Sequence, residues 1–523
     1  MPASAAVKPG FYKDSVALMR VAHQIGARKG VLRATLVMGT PANKAILESA
    51  GMLDDRLGAA GPGDLLIAVE ASSQHVADEA IQEAERLLVS DVAVGPAQSA
   101  AATAPRSISM ALEGAAGNAT LAQISVPGPY AGAEALKALK RGLHVFLFSD
   151  NVPLEQERAV KAVAEKKRLL VMGPDCGTAI LGGVPLGFAN AVRRGVIGVV
   201  GASGTGIQHV TALIHQHAQG ISHAIGTGSR DVLDEVGGVT LKRAFAMLAG
   251  DAGTRVIVIV SKPPGKKVAD QVLSAAQRAG KPVVVLFLGA TGVKSSGNIT
   301  VVGTLEEAAT AAVALATSGT YKSAQSLLDG TATLPAEISM LAQTQRYVRG
   351  LYSGGTFCAE AQLVLRAAGV LSWSNAPLDK SRGIPDRAPS VSHCLIDLGA
   401  EEFTVGRPHP MIDHTVRGER LVAEARDPET ALILLDIVLG YGSHPDPAGA
   451  LVPAIRAARA IATRGGRHLI LVGFVCGTEE DPQKLSVQSR ELREAGVNVV
   501  SSSTAAARIA ASAVAARSVS IKS

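Results

Sequence analysis

From about residue 107 the chain is built of short, largely apolar runs of strand length, most of them followed by a stretch with helical spacing. The runs read at 121–126, 145–149, 169–172, 196–200, 224–227, 256–260 and 283–288, with helical patterns at 131–139, 155–165, 207–217, 232–248 and 268–278. A strand with alternating polar residues can leave one face in water, but an uninterrupted apolar strand must be covered on both. Alternation with helices therefore predicts parallel, doubly wound α/β sheets. The same order returns at 394–398, 431–439, 468–475 and 497–501, with helices at 448–463 and 486–495 and a final helix at 505–514.

The flanking sequence divides this pattern. Residues 14–28 place Val16, Met19, Val21 and Ile25 at near-helical spacing, and strands at 32–38 and 65–69 with helices at 45–50 and 75–88 complete a small N-terminal α/β module. Residues 91–106 are rich in Ala, Pro and Ser and read as a linker. The expected domains are 1–106 (module and linker), 107–193, 194–317, a linker and helical connector at 318–389, and 390–523. The connector is assigned because 318–355 is largely polar, with glycines at both ends.

Composition removes several classes of function. Of 523 residues, 47% are hydrophobic and 18% charged, which excludes a disordered chain. Nine Phe, six Tyr and one Trp are too few for base-stacking platforms, and the net charge of +6 is spread along the chain, so no nucleic-acid partner is expected. Cys176, Cys358, Cys394 and Cys476 stand far apart without a CxxC pair, which argues against a disulfide framework or structural zinc and fits a reducing cytoplasm. No run of about 18 apolar residues occurs, so no membrane span is expected.

Ligands of open parallel sheets bind beyond the carboxyl ends of strands, at helix N-termini. Four loops have that grammar. The sharpest is VIGVVGASGTG, in which Ser203, Gly204, Thr205 and Gly206 open the helix at 207–217. Its glycines admit close approach, and its hydroxyls and helix terminus favour an anion; a tight strand-to-helix turn is the alternative reading. The loop at 225–231 offers Arg230 to a carboxylate or phosphate. The loop Gly173, Pro174, Asp175, Cys176, Gly177 contains a thiol with no base nearby in sequence, which favours a small buried thiol over a nucleophile. The fourth, Gly440, Tyr441, Gly442, Ser443, His444, follows the strand at 431–439. In GRPHPMIDH (406–414), His409, Asp413 and His414 admit a metal reading, but two prolines around His409 favour a rigid loop with one substrate contact. His209, His215 and His217 share one helix, where solvent or core packing is the simpler reading than ligation.

These loops in this order resemble the CoA-ligase superfamily of succinyl-CoA synthetase. SVPGPYAGAEALKALKRGLHVFLFSDNVP…LLVMGPDCGT (125–178) resembles its Rossmann-like CoA-binding domain. VIGVVGASGTG with AIGTGSRD resembles the first flavodoxin-like ligase domain, and ALILLDIVLGYGSHPDPAG with REAGVNVVSS the second. SVPGPYA, LFSDN, MGPDCGTA, SGTG, AIGTGSRD and GRPHPMID together identify the chain as FdrA-like over residues 11–515. The resemblance implies phosphate binding by Ser203, Gly204, Thr205, Gly206, Gly440, Gly442 and Ser443, and cofactor binding by Gly173, Pro174, Asp175, Cys176 and Gly177, with CoA or carbamoyl phosphate as the bound ligand. Arg230 or Arg407 would hold an acceptor's carboxylate, His409 would contact substrate, and His444 would protonate the departing phosphate or simply cap its turn. The reaction implied is carbamoyl or acyl transfer from a pre-activated acyl phosphate, of the oxamate type in allantoin breakdown, with partner subunits and a homo-oligomer expected. An acyl-CoA synthetase and a non-catalytic assembly subunit are the alternatives.

One departure from succinyl-CoA synthetase is decisive in the sequence. That enzyme carries phosphate on a histidine following the last strand of the first ligase domain; here the region reads LFLGATGVKSSGN, and no histidine lies between His223 and His393. Incubation with labelled ATP should therefore leave no base-stable, acid-labile phosphate on the protein. Stoichiometric label on a histidine, His444 in particular, would contradict this.

Overall fold

The computed structural model describes residues 2–11, 13, 15–90, 105–114, 116–321, 334–385, 388–404 and 408–522. The chain forms two compact units, one of residues 1–114 with 401–409 and one of 115–400 with 410–523.

In the first unit, β1 (Ala3–Lys8), β2 (Val31–Met38) and β3 (Leu65–Ala71) form an antiparallel sheet in the order β1-β3-β2. Alternate β3 residues serve two cores. Leu65, Ile67 and Val69 pack with α1 (Ser15–Gly26) and α4 (Gln74–Ser90), while Leu66 and Ala68 join Leu47, Met52 and Leu57 around α2 (Pro41–Ser49) and α3 (Asp55–Ala59). The short helix α5 (Ile108–Glu113) also belongs to this unit. The expected linker at 91–106 falls almost wholly outside the described residues.

The second unit holds three sheets. β4 (Leu121–Ile124), β5 (His144–Leu147) and β6 (Val171–Met172) are parallel in that order, with α6 (Gly128–Lys140) and α7 (Leu154–Lys167) as crossovers. The next strands, β7 (Thr178–Leu181) and β8 (Val184–Gly187), form a hairpin that joins the following sheet rather than this one, so the second expected boundary, at 193, falls inside a sheet. That sheet has seven strands in the order β13-β12-β11-β9-β10-β7-β8. It comprises β9 (Arg194–Gly201), α8 (Gly204–Gln216), β10 (Ile221–Gly226), α9 (Val239–Gly250), β11 (Val256–Ser261), α10 (Lys266–Gln277), β12 (Val283–Phe287), β13 (Ile299–Val301) and α11 (Leu305–Ser318), besides the hairpin.

After the short helix α12 (Leu334–Ser339) comes a five-stranded parallel sheet in the order β15-β14-β16-β17-β18. Its central strand β14 (Tyr347–Tyr352) and the helix α13 (Gly355–Ala367) lie inside the expected connector 318–389, which is thus no connector over that stretch. The strand was masked by Arg349, a charge in the middle of a fully buried run. Arg349 is 1% exposed, with Nε 3.0 Å from Glu424 Oε2 and Nη2 against Asp427, so ion pairing allows a cation where the pattern calls for an apolar residue. The sheet is completed by β15 (Cys394–Asp397), α15 (Thr415–Arg426), β16 (Thr430–Val438), α16 (Pro447–Arg464), β17 (Ile470–Cys476), α17 (Leu485–Glu494), β18 (Asn498–Val500) and α18 (Ser503–Lys522); α14 (Glu401–Thr404) belongs to the first unit.

The two larger sheets share one apolar core, in which Ile207, Val210 and Ile214 of α8 meet Phe357 and Leu365 of α13 and Phe474 of β17. The rings of Phe357 and Phe474 stand edge to face at 4.9 Å. Glu360 of α13 is buried in this core. Its Oε1 accepts from the Leu305 amide at the start of α11 (2.7 Å) and from Thr504 Oγ1 (3.0 Å), and its Oε2 accepts from Ser503 Oγ at the start of α18. One carboxylate therefore caps α11 and ties the first-turn hydroxyls of α18 to it, and burial raises its pKa. Glu360→Ala leaves those donors buried and unbonded, a loss on the order of 3 kcal/mol, whereas Glu360→Gln keeps most of them. Because the folded chain holds this proton more tightly than the unfolded one, stability falls as pH rises from the ordinary glutamate range through the raised pKa. Denaturant melts at a series of pH values should show that component in the wild type and not in Glu360→Gln.

Candidate functional site

Strand β9 runs beside β11 so closely at its carboxyl end that a Cβ on Gly201 would overlap the Val260 carbonyl, which only glycine avoids. The chain then turns through Ala202 and Ser203 into α8. Ser203 Oγ accepts from the Gly206 amide (3.2 Å), and the Ser203 carbonyl takes the Ile207 amide (2.9 Å). This leaves Gly204 and Thr205 as first-turn donors with no carbonyl one turn back.

The same construction occurs at the end of β14, where Ser353, Gly354, Gly355 and Thr356 lead into α13. The Gly354 carbonyl takes the Phe357 (3.0 Å) and Cys358 (3.2 Å) amides, leaving Gly355 and Thr356 in the same state. The two turns meet. Ser203 Oγ and Thr356 Oγ1 are hydrogen-bonded at 2.6 Å, and a Cβ on Gly354 would stand 2.7 Å from both Cγ2 and Oγ1 of Thr205. Gly204 is exposed and Gly355 half-buried, so the junction opens to solvent at those two residues.

Strand order explains why the turns lie there. In the seven-stranded sheet the connections leave β9 toward β10 on one side and β11 on the other; in the five-stranded sheet they leave β14 toward β15 and β16. Each turn thus sits at the switch point of its sheet, where a crevice forms beyond the strand ends. The second turn is fixed from below by Asp436 of β16. Its Oδ1 accepts from the Ser353 amide (2.8 Å), and its Oδ2 from Ser353 Oγ. The fully buried Arg417 compensates that carboxylate, with Nη2 3.0 Å from Asp436 Oδ1 and 3.1 Å from the Leu351 carbonyl. Burial lowers the Arg417 pKa against the opposing pull of Asp436.

The 353–356 turn is absent from the sequence reading, although YVRGLYSGGT repeats the strand–glycine–helix grammar of VIGVVGASGTG. The expected partner of the first turn was the loop holding Gly440, Gly442 and Ser443. That loop leaves the adjacent strand β16, but three of its amides are engaged elsewhere: Gly440 N with Gln483 Oε1 (3.1 Å), Tyr441 N with the Ala189 carbonyl (2.8 Å) and His444 N with the Met411 carbonyl (2.8 Å). Gly440 and Gly442 have positive φ and lie against Ala189 and Phe188, so they serve close backbone packing. His444 Nδ1 accepts from the Asp446 amide (2.9 Å), the capping alternative.

The remaining expected residues are engaged as follows. Arg230 Nε lies 2.9 Å from the buried Glu157 carboxylate, and its Nη2 donates to the Val152 carbonyl (2.6 Å); its charge is used inside the protein. In the loop Gly173, Pro174, Asp175, Cys176, Gly177, the Gly173, Asp175 and Cys176 amides donate to Thr227, Ser149 and Leu147, and Asp175 Oδ2 accepts from Ser229 Oγ (2.8 Å). The Cys176 thiol is buried, and burial pushes its pKa up to about 12, the inert reading. As an anion or cofactor cradle this loop does not fit, because its donors already hold the sheets together. His409 falls in the first unit, and Arg407 lies outside the described residues. His209 is a core residue whose pKa burial drives down to about 3, and His215 Nδ1 accepts from the Arg193 amide (2.9 Å).

Gly204→Val tests the first turn. A Cβ there meets only Thr178 Oγ1 at 3.5 Å, ordinary contact, so the fold should survive while inorganic phosphate binding measured by calorimetry falls at least tenfold. Gly201→Ala, by contrast, should prevent folding.

Comparison with known proteins follows the same division. The CoA-ligase family profile matches residues 351–513, the CoA binding domain profile 193–289, and the profile described as AllF, heavy metal-associated domain, 1–105. The CoA-binding match thus falls on the seven-stranded sheet, whereas the sequence reading placed that domain at 107–193. The metal in the third description does not fit this chain: no cysteine precedes Cys176, and the described residues hold no group of three His, Cys, Asp or Glu suited to an ion. The uncharacterized protein YahF of Escherichia coli (strain K12) is 42% identical over 501 residues, 95% of this chain and 96% of that one. The succinate–CoA ligase [ADP-forming] subunit alpha of Aquifex aeolicus (strain VF5) is 27% identical over 177 residues, 32% of this chain and 56% of that subunit. Among solved structures, the dinucleotide-forming acetyl-coenzyme A synthetase 1 of Ca. Korarchaeum cryptofilum in complex with phosphate and ADP is 16% identical, covering 82% of this chain and 89% of that one at a TM-score of 0.31. On the extent of its likeness to YahF, and with CoA-ligase and CoA-binding segments in series, the chain belongs to the FdrA family of CoA-ligase-type proteins.

Proposed function

We propose that this CoA-ligase-type protein transfers an acyl group, best a carbamoyl group, from a pre-activated acyl phosphate to a nitrogen acceptor, as a subunit of an oxamate-type carbamoyltransferase in allantoin breakdown. The observation that carries the reading is the meeting of the α8 and α13 first turns. Their four first-turn amides (Gly204, Thr205, Gly355 and Thr356) have no carbonyl one turn back, and the two turns touch through the Ser203–Thr356 hydroxyl pair. Helix-terminal amides of this kind favour a phosphate, and they stabilise best the charge that grows as phosphate departs. The acceptor nitrogen attacks the acyl carbon, the bond from that carbon to the phosphate oxygen breaks, phosphate leaves with the electron pair, and the nitrogen loses a proton. No covalent enzyme intermediate is needed, since positioning supplies much of the acceleration. This agrees with the missing phosphohistidine.

A second reading, acyl-CoA synthesis, is favoured by the CoA binding domain match at 193–289. The two separate by product. The purified chain, alone and with co-expressed neighbouring subunits, should release phosphate from carbamoyl phosphate in an oxamate-dependent manner. Thioester formation from CoA with ATP, in the absence of such release, would replace the first reading by the second.

A further inference from the structure

A third element reaches the first turn of α8. Strand β7 runs antiparallel to β10, so its first residue, Thr178, stands at the carboxyl end of the parallel strands, where α8 begins. Side chains alternate along β7. Ala179 packs in the core beneath α9 and α10, whereas Ile180 joins the core that α8 shares with α13. Thr178 has the parity of Ile180 and therefore faces α8. The approach is close: a Cβ on Gly204, the first residue of that helix, would stand 3.5 Å from Thr178 Oγ1. Gly204 is exposed, whereas Thr178 is only 2% exposed, and the Thr178 hydroxyl has no hydrogen-bond partner among the described residues. The Ser203 and Thr356 hydroxyls do not satisfy it, being bonded to each other. The main chain of Thr178 is held firmly. Its carbonyl accepts from the Cys176 thiol (3.6 Å) and lies against Gly226 of β10, where a Cβ would stand 2.5 Å from that oxygen and 2.6 Å from Cys176 Sγ. A glycine at 226 and a buried thiol at 176 thus fix the strand start from which the hydroxyl projects.

We infer that Thr178 is a further phosphate ligand beside Gly204, held in register by Cys176 as a positioning residue. The inference rests on the proposed acyl-phosphate site and goes beyond it by adding a side-chain ligand from a third element, the β7 hairpin. A buried hydroxyl without a partner is a cost that the folded chain carries, and an anion seated on the first turn of α8 removes it. A phosphoryl group presents three peripheral oxygens, more than one helix start can serve, and Thr178 donates to one of them from the β7 side. A hydroxyl suits the task, because it donates to the phosphate dianion and can also accept from the protonated monoanion. The loop at 173–177 then has a part in the site without lending it a donor: its Gly173, Asp175 and Cys176 amides fasten it to the sheets, and it sets the residue that follows.

The test titrates inorganic phosphate calorimetrically into the full-length protein and three variants at this position. Thr178→Val keeps the side chain's shape and suits a strand, so its melting temperature should stay near that of the wild type while phosphate affinity falls about tenfold. Thr178→Ala removes the hydroxyl by a second route and should show the same loss, which keeps the test intact if the valine disturbs folding. Thr178→Ser retains the hydroxyl and should bind phosphate within about threefold of the wild type. Wild-type affinity in a folded Thr178→Val or Thr178→Ala overturns the inference. So does an equal loss in Thr178→Ser and Thr178→Val, which would assign the effect to packing rather than to the hydroxyl. In each of these cases the wild type still binds phosphate, and the junction stands as its site. If the wild type binds no phosphate, the acyl-phosphate reading falls and the inference with it.

Discussion

Two helices that begin at the same point bring like poles together. Each N-terminus carries roughly half a positive charge, and packing α8 against α13 at their first turns sets these half-charges side by side. The arrangement holds because apolar contacts farther along both helices, from Ile207 and Phe357 onward, bury one core between two sheets. Much else in the second unit follows from accommodating that convergence: glycine at 201 and 354 so that the turns can approach, and a hydroxyl pair, Ser203 with Thr356, at the closest point.

The fold places carboxylates where these poles lie. Asp436 sits under Ser353 and is itself balanced by Arg417, so the turn before α13 is set by a buried ion pair rather than by a serine cap of the kind that opens α8. Such pairs contribute little net stability, because desolvation offsets much of the attraction, but they fix geometry. Asp397, the last residue of β15, seats its Oδ2 beside Gly355, the first residue of the same helix.

The architecture was legible wherever strands are apolar throughout, as in VIGVV and VIVIV, and the first turn of the site was legible in SGTG. The second turn was not, because Arg349 breaks the apolar run of β14 and its compensating partners, Glu424 and Asp427, come from residues over seventy positions away. Glycine-rich sequence also proved ambiguous in kind. At 204 the glycine leaves a surface open, whereas at 440 and 442 it lets the backbone press against residues 187–190. Sequence shows that a side chain is absent, not what occupies the space. Cys176 and Arg230 illustrate the same limit, since both stand in loops of the right grammar and both are consumed by internal partners.

Glu360 adds a contrast within the same core. The α11 and α18 starts converge much as α8 and α13 do, and there the protein supplies its own anion, a glutamate that bonds both. One convergence is closed by a side chain and the other stands open toward solvent at Gly204 and Gly355. An anion entering the open one completes an electrostatic arrangement that the fold has already completed once for itself. Under the proposed phosphate reading, filling the site would add to the cohesion of the two large sheets, and substrate would act as a removable piece of the core.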